Sequence, residues 1–365
     1  MKVAIVADWL NTFGGAERVV KSLSEIFPDA PIYTSQYSEK QVDWFKGCDV
    51  RTGWLQKVPH CLRKLLPVLR VIYFSRLDLS EYDLVISSAC AEAKGVKTNP
   101  DALHVSYFQG PPTQYYWGFY DQYMKNPGFG KLDPVVRFFF RLLVRPLRKI
   151  DYKFAQNPDY IIANSNYAAA EIKKYYKRDS VVIWPSFDIG KFKLRTKKSD
   201  YFITTARHVG WKRLDLAVEA CKKTDNKLIL VGDGSEHAAL QDLAAGDEDI
   251  EFTGFADSGK IADLVARAKG YIQPSLEPFG ISPIEALATG TPVIAYGAGG
   301  ALDYVEDGQN GLFFDQQTTE SLVRAIDKFA ETKFNPKTVS KSAKKFSDAR
   351  FKKEIKDFVD EKLAE

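Results

Sequence analysis

The chain has 365 residues, too many for one ordinary hydrophobic core, so two domains are expected. Its 45% apolar and 27% charged residues are usual for a globular protein, and a net charge of +4 gives no reason to expect a nucleic-acid partner. The cysteines, which form no CxxC pair, argue against a disulfide framework or a zinc site; they are Cys48, Cys61, Cys90 and Cys221. No apolar run reaches the ~20 residues of a membrane span, and residues 1–7 indicate a strand rather than a signal peptide. We therefore expect a cytoplasmic protein.

The N-terminal half alternates short apolar strands with helical patterns. A strand is predicted at residues 2–7, a turn at 8–15 and a helix at 16–27. This order of strand, glycine turn and helix opens a Rossmann-like βαβ unit. Further strands are predicted at residues 32–34, 84–88, 103–108 and 160–163.

The C-terminal half carries a second series of the same kind. Strands are predicted at residues 201–205, 227–231, 250–253, 270–273 and 292–296, with helices at 213–221, 236–244, 261–268 and 284–288. The fold class expected is α/β, with two Rossmann-like domains whose mostly parallel sheets face each other across a cleft. The expected boundaries are 1–184, 185–345 and a final segment, 346–365, that returns to the first domain.

The run from Glu277 to Ala286 follows the strand 270–273 and begins a helix. Gly280 allows close approach of a ligand to the backbone, and the free N–H groups of the first helical turn favour a phosphate. Glu277 on the loop and Glu285 within the helix offer carboxylates that accept hydrogen bonds from vicinal hydroxyls. The alternative is an ordinary helix start with two solvated glutamates.

This run, with residues 289–295 and the pair Gly299 and Gly300, resembles the EPFG…E…A.G.PVIA…GG signature of the retaining glycosyltransferases of the GT-B type, also described as glycosyl transferases group 1. The resemblance implies that Glu285 holds the ribose hydroxyls of a nucleotide-sugar donor and that Glu277 contacts the transferred sugar near its anomeric carbon. It further implies that backbone amides meet the diphosphate and the sugar; these belong to Phe279, Gly280 and Ile281.

Further residues match the same family. Arg207 and Lys212 fall at its Arg and Lys positions, where a guanidinium and an ammonium neutralise a departing diphosphate, whereas Arg213 is expected to be a surface cation. Gly232 lies in the family's second glycine turn, and Phe255 in the stretch that lines the nucleobase pocket.

In the N-terminal half, Gly15 belongs to a glycine-rich loop that resembles the family's, and its N–H is expected to face the donor phosphate or the acceptor. Gln109 stands where relatives carry a histidine that reaches the donor sugar. Glutamine hydrogen-bonds but does not act as a general acid or base at neutral pH. The nearby His104 is expected to be a packed structural residue.

Two stretches, residues 51–77 and 134–150, are basic, rich in aromatic and aliphatic residues, and free of acids. In the second, Arg137, Arg141 and Arg145 recur every four residues and line one helical face. Such a helix suits an anionic membrane surface and a lipid-linked acceptor. The alternative is a core-packing helix with a solvated arginine face.

The resemblance implies transfer of a mannose- or glucose-type hexose from a GDP- or UDP-sugar to a glycan or lipid-linked acceptor, with retention of configuration, no metal and no other cofactor. Polysaccharide or glycolipid synthesis at the inner face of the cell membrane is the expected setting. Gln109 leaves open a catalytically silent nucleotide-sugar or glycan-binding protein, and an epimerase or phosphorylase of the same fold is a further alternative. A dinucleotide oxidoreductase is disfavoured because no GxGxxG follows the first strand.

Overall fold

The computed structural model describes residues 1–11, 14–59, 67–113, 116–125 and 130–365. The chain divides into two compact units. The N-terminal unit comprises Met1–Ser186 together with Asp348–Glu365, and the C-terminal unit comprises Phe187–Ser347.

The N-terminal unit is built on a parallel sheet of seven strands within the described residues, in the order β3-β2-β1-β4-β5-β6-β7. Both faces of the central strand β4 are buried, which explains its continuous apolar and small-residue sequence. The strands are β1 (Val3–Ala7), β2 (Ile32–Thr34), β3 (Val50–Thr52), β4 (Leu84–Ala89), β5 (Leu103–Phe108), β6 (Tyr160–Ala163) and β7 (Val181–Val182).

Helices follow most of these strands and cover the sheet. Ser165 caps the start of α5, where its hydroxyl accepts a hydrogen bond of 3.0 Å from the Ala168 N–H. Helix α4 continues through Pro146, which removes the hydrogen bond to the Leu142 carbonyl on a face that is exposed to water. The helices are α1 (Gly15–Ile26), α2 (Pro67–Arg76), α3 (Tyr120–Lys125), α4 (Asp133–Phe154) and α5 (Asn166–Tyr176).

The C-terminal unit is built on a second parallel sheet, with six described strands in the order β10-β9-β8-β11-β12-β13. The order reverses between β8 and β11, the place where ligands bind in open α/β sheets. The strands are β8 (Phe202–Thr205), β9 (Leu228–Val231), β10 (Ile250–Gly254), β11 (Gly270–Gln273), β12 (Val293–Tyr296) and β13 (Gly311–Phe314).

Helices pack on this sheet through apolar stripes, as in α11, whose Leu322, Ala325, Ile326 and Phe329 are buried in the core of the unit. The helices are α6 (Leu214–Lys223), α7 (His237–Ala244), α8 (Ser258–Arg267), α9 (Ile281–Ala288), α10 (Ala301–Tyr304), α11 (Thr319–Glu331) and α12 (Pro336–Ser342).

The last helix, α13 (Asp348–Leu363), belongs to the N-terminal unit. Its buried Phe351, Ile355 and Val359 share one core with β1 and β5. The helix also contacts α1, because the Ser22 hydroxyl donates a hydrogen bond of 2.7 Å to the Asp348 carboxylate. The helix therefore completes the first core of the chain.

The predicted α/β class with two parallel sheets is confirmed. The sequence did not indicate β3, β7 and β13. Strands β3 and β7 are largely exposed and only two or three residues long, too short for a periodic pattern to be recognised.

Candidate functional site

The loops that follow β8 and β11 bring two predicted site residues into contact. These strands are parallel neighbours, so their carboxyl ends lie at the same edge of the sheet. The Lys212 ammonium donates a hydrogen bond to the Glu277 carboxylate and forms an ion pair with it. The two side chains are only 17% and 11% exposed, respectively. A shielded ammonium and carboxylate thus stand side by side, suited to a phosphate oxygen and a sugar hydroxyl.

Two neighbours hold this pair in place. The Ser275 hydroxyl donates a hydrogen bond of 3.1 Å to the Glu277 carboxylate. The Lys212 ammonium lies 4.2 Å from the centre of the Trp211 ring, a cation–π contact. Ser275 and Trp211 could not be selected from the sequence, because both act through contacts that only the folded loops create.

The backbone of the Glu277 loop rests on two glycines. The Gly300 N–H donates a hydrogen bond of 2.8 Å to the Glu277 carbonyl. A Cβ atom on Gly299 would clash with that carbonyl, and one on Gly300 would clash with the Phe279 backbone. The pair Gly299 and Gly300, part of the sequence motif, therefore has a packing role beneath the site.

Phe279 anchors the loop rather than facing a ligand. Its ring is buried and packs edge-on against Tyr304 and Phe346. Only the backbone of Phe279 is thus available to a donor. The Tyr304 hydroxyl is buried with no hydrogen-bond partner among the described residues. Burial, reinforced by the Glu277 carboxylate, raises the pKa of Tyr304.

Gly280 joins this loop to α9 in a conformation that favours glycine, with φ of +95°. It is the N-cap of the helix and supplies no capping side chain, so the N–H groups of Ile281 and Ser282 lie at the positive end of the helix dipole. Pro283 has no N–H to offer. The helix start can therefore accept an anion through two amides and the dipole.

Glu285 lies within α9, half-buried, near the buried Tyr271. Burial, together with this carboxylate, raises the pKa of Tyr271 to about 12. Phe255 follows β10 at the same edge of the sheet, and its side chain is 82% exposed. An aromatic ring this open to solvent has the form of a stacking platform for a base.

Arg207 lies two residues after the end of β8 and is exposed. Its guanidinium forms no ion pair and no hydrogen bond with the part of the chain that is described. A Cβ atom on Gly232 would clash with the Ala206 carbonyl, and one on Gly234 with that of His208. The second glycine turn therefore allows a close backbone approach that fixes the segment carrying Arg207.

Arg213, expected to be a surface cation, lies at the start of α6 with its side chain 33% exposed. It adopts a left-handed conformation, with φ of 52°, at the N-cap of α6, and its half-buried guanidinium pairs with the Asp215 carboxylate at 3.0 Å. The short turn from Lys212 into α6 forces this backbone geometry and brings the two side chains together.

A histidine pair beside this segment was not anticipated. His208 is fully buried, and its Nδ1 lies 2.8 Å from the Nδ1 of His237 with the rings stacked. One ring must donate and the other accept, so the pair holds at most one additional proton. Burial and the neighbouring His237 lower the pKa of His208.

The N-terminal unit holds the remaining predicted donor residues. Gln109 follows β5, and its side-chain amide donates hydrogen bonds to the Ser88 hydroxyl at 2.6 Å and to the Ala16 carbonyl at 3.4 Å. Gly15 is the first residue of α1, and the buried carboxylate of Glu17 lies beside this helix start. An anion at the Gly15 N–H would therefore meet a carboxylate.

A buried carboxylate and a buried histidine organise the same unit. The Asp8 carboxylate accepts hydrogen bonds from three backbone N–H groups after β4, at 2.6 to 2.8 Å. His104, expected to be structural, is buried with its Nε2 2.9 Å from the Ser87 hydroxyl. Burial lowers the pKa of His104 to about 3, so it stays neutral.

The basic stretches differ from each other. In residues 51–77, the Arg51 guanidinium pairs with Asp49, and that of Arg70 is buried against Glu92 at 2.7 Å. Two cations of this stretch are thus engaged by carboxylates, whereas Lys57 and Arg76 are exposed. Arg63 and Lys64 lie outside the described residues, as does Cys61.

In α4, Arg141 and Arg145 are exposed, whereas the Arg137 guanidinium lies 3.6 Å from Asp133 and donates a hydrogen bond to the Lys125 carbonyl. The described ranges contain no cluster of three or more His, Cys, Asp or Glu residues placed to hold a metal ion. No described helix is both long and apolar enough to span a membrane.

Known proteins resemble this chain in sequence and in fold. The family described as Glycosyl transferases group 1 matches residues 186–347. Glycosyltransferase MJ1178 of Methanocaldococcus jannaschii, whose name adds that it is uncharacterized, is 27% identical over 202 residues. That match covers 54% of this chain and 57% of the relative, so the chain spans little more than half of the relative's length.

Two solved structures share the fold over nearly the whole chain. Alr3699/HepE of Anabaena, in complex with UDP, has a TM-score of 0.70 at 18% identity and covers 99% of this chain and 100% of its own. The apo form of the lipopolysaccharide outer core galactosyltransferase WaaB has a TM-score of 0.71 at 16% identity, with the same coverage. This chain therefore has the GT-B fold, and its residues 186–347 match the family described as Glycosyl transferases group 1.

Proposed function

We propose that this protein transfers a hexose from a UDP- or GDP-sugar to a glycan or lipid-linked acceptor, with retention of configuration. The observation that carries the proposal is the contact between Lys212 and Glu277 at the β8–β11 edge, next to the Gly280 turn that begins α9. This arrangement offers one cation, one carboxylate and a helix start to a single ligand. A nucleoside diphosphate sugar has the phosphates and hydroxyls that these groups bind.

The reaction follows from the charges. The bond between the anomeric carbon and the diphosphate oxygen breaks, and the acceptor oxygen bonds to the same face of that carbon. The acceptor proton passes to the departing diphosphate. Arg207 and Lys212 neutralise the negative charge that develops on this leaving group, so the proposal includes no metal or other cofactor.

The remaining residues bind the donor. Glu277 accepts a hydrogen bond from a hydroxyl of the transferred sugar, and Glu285 accepts from the ribose hydroxyls. Phe255 stacks on the nucleobase, and the amides of Ile281 and Ser282 at the start of α9 meet the diphosphate. The names of similar structures support this donor class, because Anabaena HepE has been solved with UDP and with UDP-glucose.

The acceptor class is proposed from weaker similarity. WaaB is named as a galactosyltransferase of the lipopolysaccharide outer core, which supports a hexose and a cell-envelope glycan or glycolipid. We place the reaction on the cytoplasmic side of the cell membrane, where nucleotide sugars are made.

Gln109 supports one alternative, a silent nucleotide-sugar-binding protein. Its amide is already bonded to Ser88 and to the Ala16 carbonyl, and an amide transfers no proton at neutral pH. A transferase in which the diphosphate takes the acceptor proton does not need a base at this position, so the two functions differ in turnover and not in binding.

The test combines thermal shifts with donor hydrolysis. The intact protein is screened with UDP, GDP, UDP-glucose, UDP-galactose, GDP-mannose and free UMP, and slow release of sugar is followed by mass spectrometry. We expect one diphosphate to raise the melting temperature, since only a bound ligand stabilises, and its sugar to be released. The Glu285→Ala variant should lose the shift, whereas Glu331→Ala at the exposed end of α11 should keep it. Binding without sugar release favours the silent alternative, and the absence of any shift contradicts both.

A further inference from the structure

Helix α4 carries a row of large apolar side chains on its outer face. We call Val135, Phe138, Phe139 and Leu142 the apolar stripe. Their side chains are 51%, 61%, 56% and 59% exposed, and they follow one another at the three- and four-residue spacing of a single helical face. Solvated helix faces are normally polar, so a stripe of this size indicates a surface that contacts a membrane or another molecule.

The helix cannot turn this face inward. On its opposite side Val144, Leu147 and Phe154 are buried in the N-terminal unit. The buried Asp151 carboxylate forms an ion pair with Lys94 at 2.8 Å and accepts hydrogen bonds from the Thr113 and Tyr176 hydroxyls and the Trp117 indole, all within 2.9 Å. These contacts fix the rotation of α4 and leave the stripe outside.

Cations border the stripe. Arg141, Arg145 and Lys149 are exposed, and none of them has an ion-pair partner in the described chain. No Asp or Glu occurs from residue 134 to residue 150. The other two cations of this stretch are engaged, since Arg137 pairs with Asp133 and Arg148 donates to the Tyr116 carbonyl.

We infer that this face of α4 docks on an anionic lipid bilayer, with the helix axis parallel to the membrane. The apolar stripe would enter the boundary between head groups and acyl chains, while Arg141, Arg145 and Lys149 contact lipid phosphates. A second copy of this chain is a poorer occupant, because pairing the same face about a two-fold axis brings two sets of uncompensated cations into one interface. The inference concerns a surface and does not depend on the transfer reaction.

The apolar part is tested with vesicles and a matched pair of leucines. The intact protein is sedimented with phosphatidylcholine vesicles and with vesicles that also contain phosphatidylglycerol, without any donor. We expect binding only to the anionic vesicles and weaker binding at high salt. The Leu142→Gln variant should bind about tenfold more weakly, whereas Leu363→Gln, at an exposed leucine near the end of α13, should bind normally.

The basic part uses a charge-matched pair. Arg141→Gln with Arg145→Gln removes two positive charges, as does Lys353→Gln with Lys356→Gln on the exposed side of α13. The first pair should weaken anionic-vesicle binding roughly thirtyfold, and the second should leave it within about twofold. Circular dichroism of each variant checks that the fold is retained.

Several results overturn the inference. Equal losses in both charge-matched pairs would indicate attraction without a defined face, and equal binding to neutral vesicles would exclude the role of the cations. The absence of vesicle binding, or a dimer in sedimentation velocity that Leu142→Gln dissociates, would reject the membrane as occupant. Donor binding and hydrolysis are measured separately in the same preparations. A failure of vesicle binding can therefore be distinguished from a failure of the proposed transferase function.

Discussion

Lys212 and Glu277, which come from loops after two neighbouring parallel strands, form an ion pair that is mostly shielded from water. Each orients the other in the proposed donor site, so neither side chain would have to be ordered when a ligand binds. A ligand with both a phosphate and a hydroxyl can bind Lys212 through the phosphate and Glu277 through the hydroxyl. Both charged side chains then keep a hydrogen-bond partner. This pairing explains how a cation and a carboxylate remain oriented in one small site.

Removing only the cation should destabilise the C-terminal unit. In Lys212→Met the poorly exposed Glu277 carboxylate loses its partner, and we expect the free energy of unfolding to fall by about 1–2 kcal/mol. This is less than the cost of breaking a fully buried pair, because the carboxylate keeps some contact with solvent. The double variant Lys212→Met with Glu277→Gln should recover most of this loss and yet remain inactive. Urea unfolding measures the first quantity and donor hydrolysis the second. Equal stability of the single and double variants would contradict the assigned pair.

The two glutamates should have different kinetic roles. Glu277→Gln removes a charge near the reacting carbon, so kcat should fall on the order of a hundredfold with little change in donor affinity. Glu285→Ala removes ribose hydrogen bonds, so donor affinity should fall about tenfold or more. Steady-state kinetics and nucleotide titration separate these effects, with Glu331→Gln as the neutral control. Unchanged kinetics in both variants would disprove the assignment.

Gly280 should tolerate no side chain. With φ of +95°, and with the Tyr304 hydroxyl 3.1 Å from the position of a Cβ atom, Gly280→Ala must strain the backbone and displace the loop. Gly246→Ala is the matched control, because φ is +81° but nothing lies within 4 Å of its Cβ position. Both variants should lose about 1 kcal/mol or more of stability, but only Gly280→Ala should lose nucleotide affinity by titration calorimetry. An equal loss of affinity in both would remove the specific role of Gly280.

Phe255 should be a base platform and not a core residue. Because its side chain is 82% exposed, Phe255→Ala should leave the melting temperature of the free protein nearly unchanged. Base stacking is worth about 1–3 kcal/mol, so nucleotide affinity should fall roughly tenfold or more. Leu302→Ala, at another exposed apolar position in the same unit, provides the control. Unchanged affinity in Phe255→Ala would place the base elsewhere.

His104 should make the N-terminal unit sensitive to acid. Its pKa is about 3 in the folded protein against 6.5 for the free side chain, so below pH 6.5 the unfolded chain binds a proton that the folded chain does not. This component of stability is complete above pH 6.5 and is lost progressively towards pH 3. We expect the stability of His104→Gln to fall less steeply with decreasing pH, by up to about 1.4 kcal/mol per pH unit. Parallel profiles of the two proteins between pH 7 and pH 4 would contradict this.

Much of the fold follows from local patterns, because buried parallel strands and amphipathic helices leave apolar periods in the sequence. The Glu277 loop and the Lys212 segment were also predictable, since their residues occur in contiguous motifs. The supporting contacts were not predictable. The Ser275 hydroxyl, the Tyr304 ring and the stacked His208 and His237 meet their neighbours only after separate loops converge.

The basic helix shows the limit of a pattern most clearly. The sequence placed Arg137, Arg141 and Arg145 on one face, but it cannot tell which side of an amphipathic helix meets the protein. Val144 and Leu147 are buried in the core, whereas Phe138 and Leu142 are exposed. Burial of the Asp151 network decides this orientation, and its members come from distant parts of the chain.

The place of α13 determines the order in which this protein can be completed during synthesis. The chain leaves the N-terminal unit at residue 186 and returns to it only at residue 348, after the whole C-terminal unit has been made. That later unit begins and ends at paired residues, since Phe187 and Ser347 form a β-bridge. The N-terminal core therefore still lacks Phe351, Ile355 and Val359 while the C-terminal unit emerges from the ribosome. Until those residues emerge, the first half of the chain carries an open apolar surface that a chaperone can recognise.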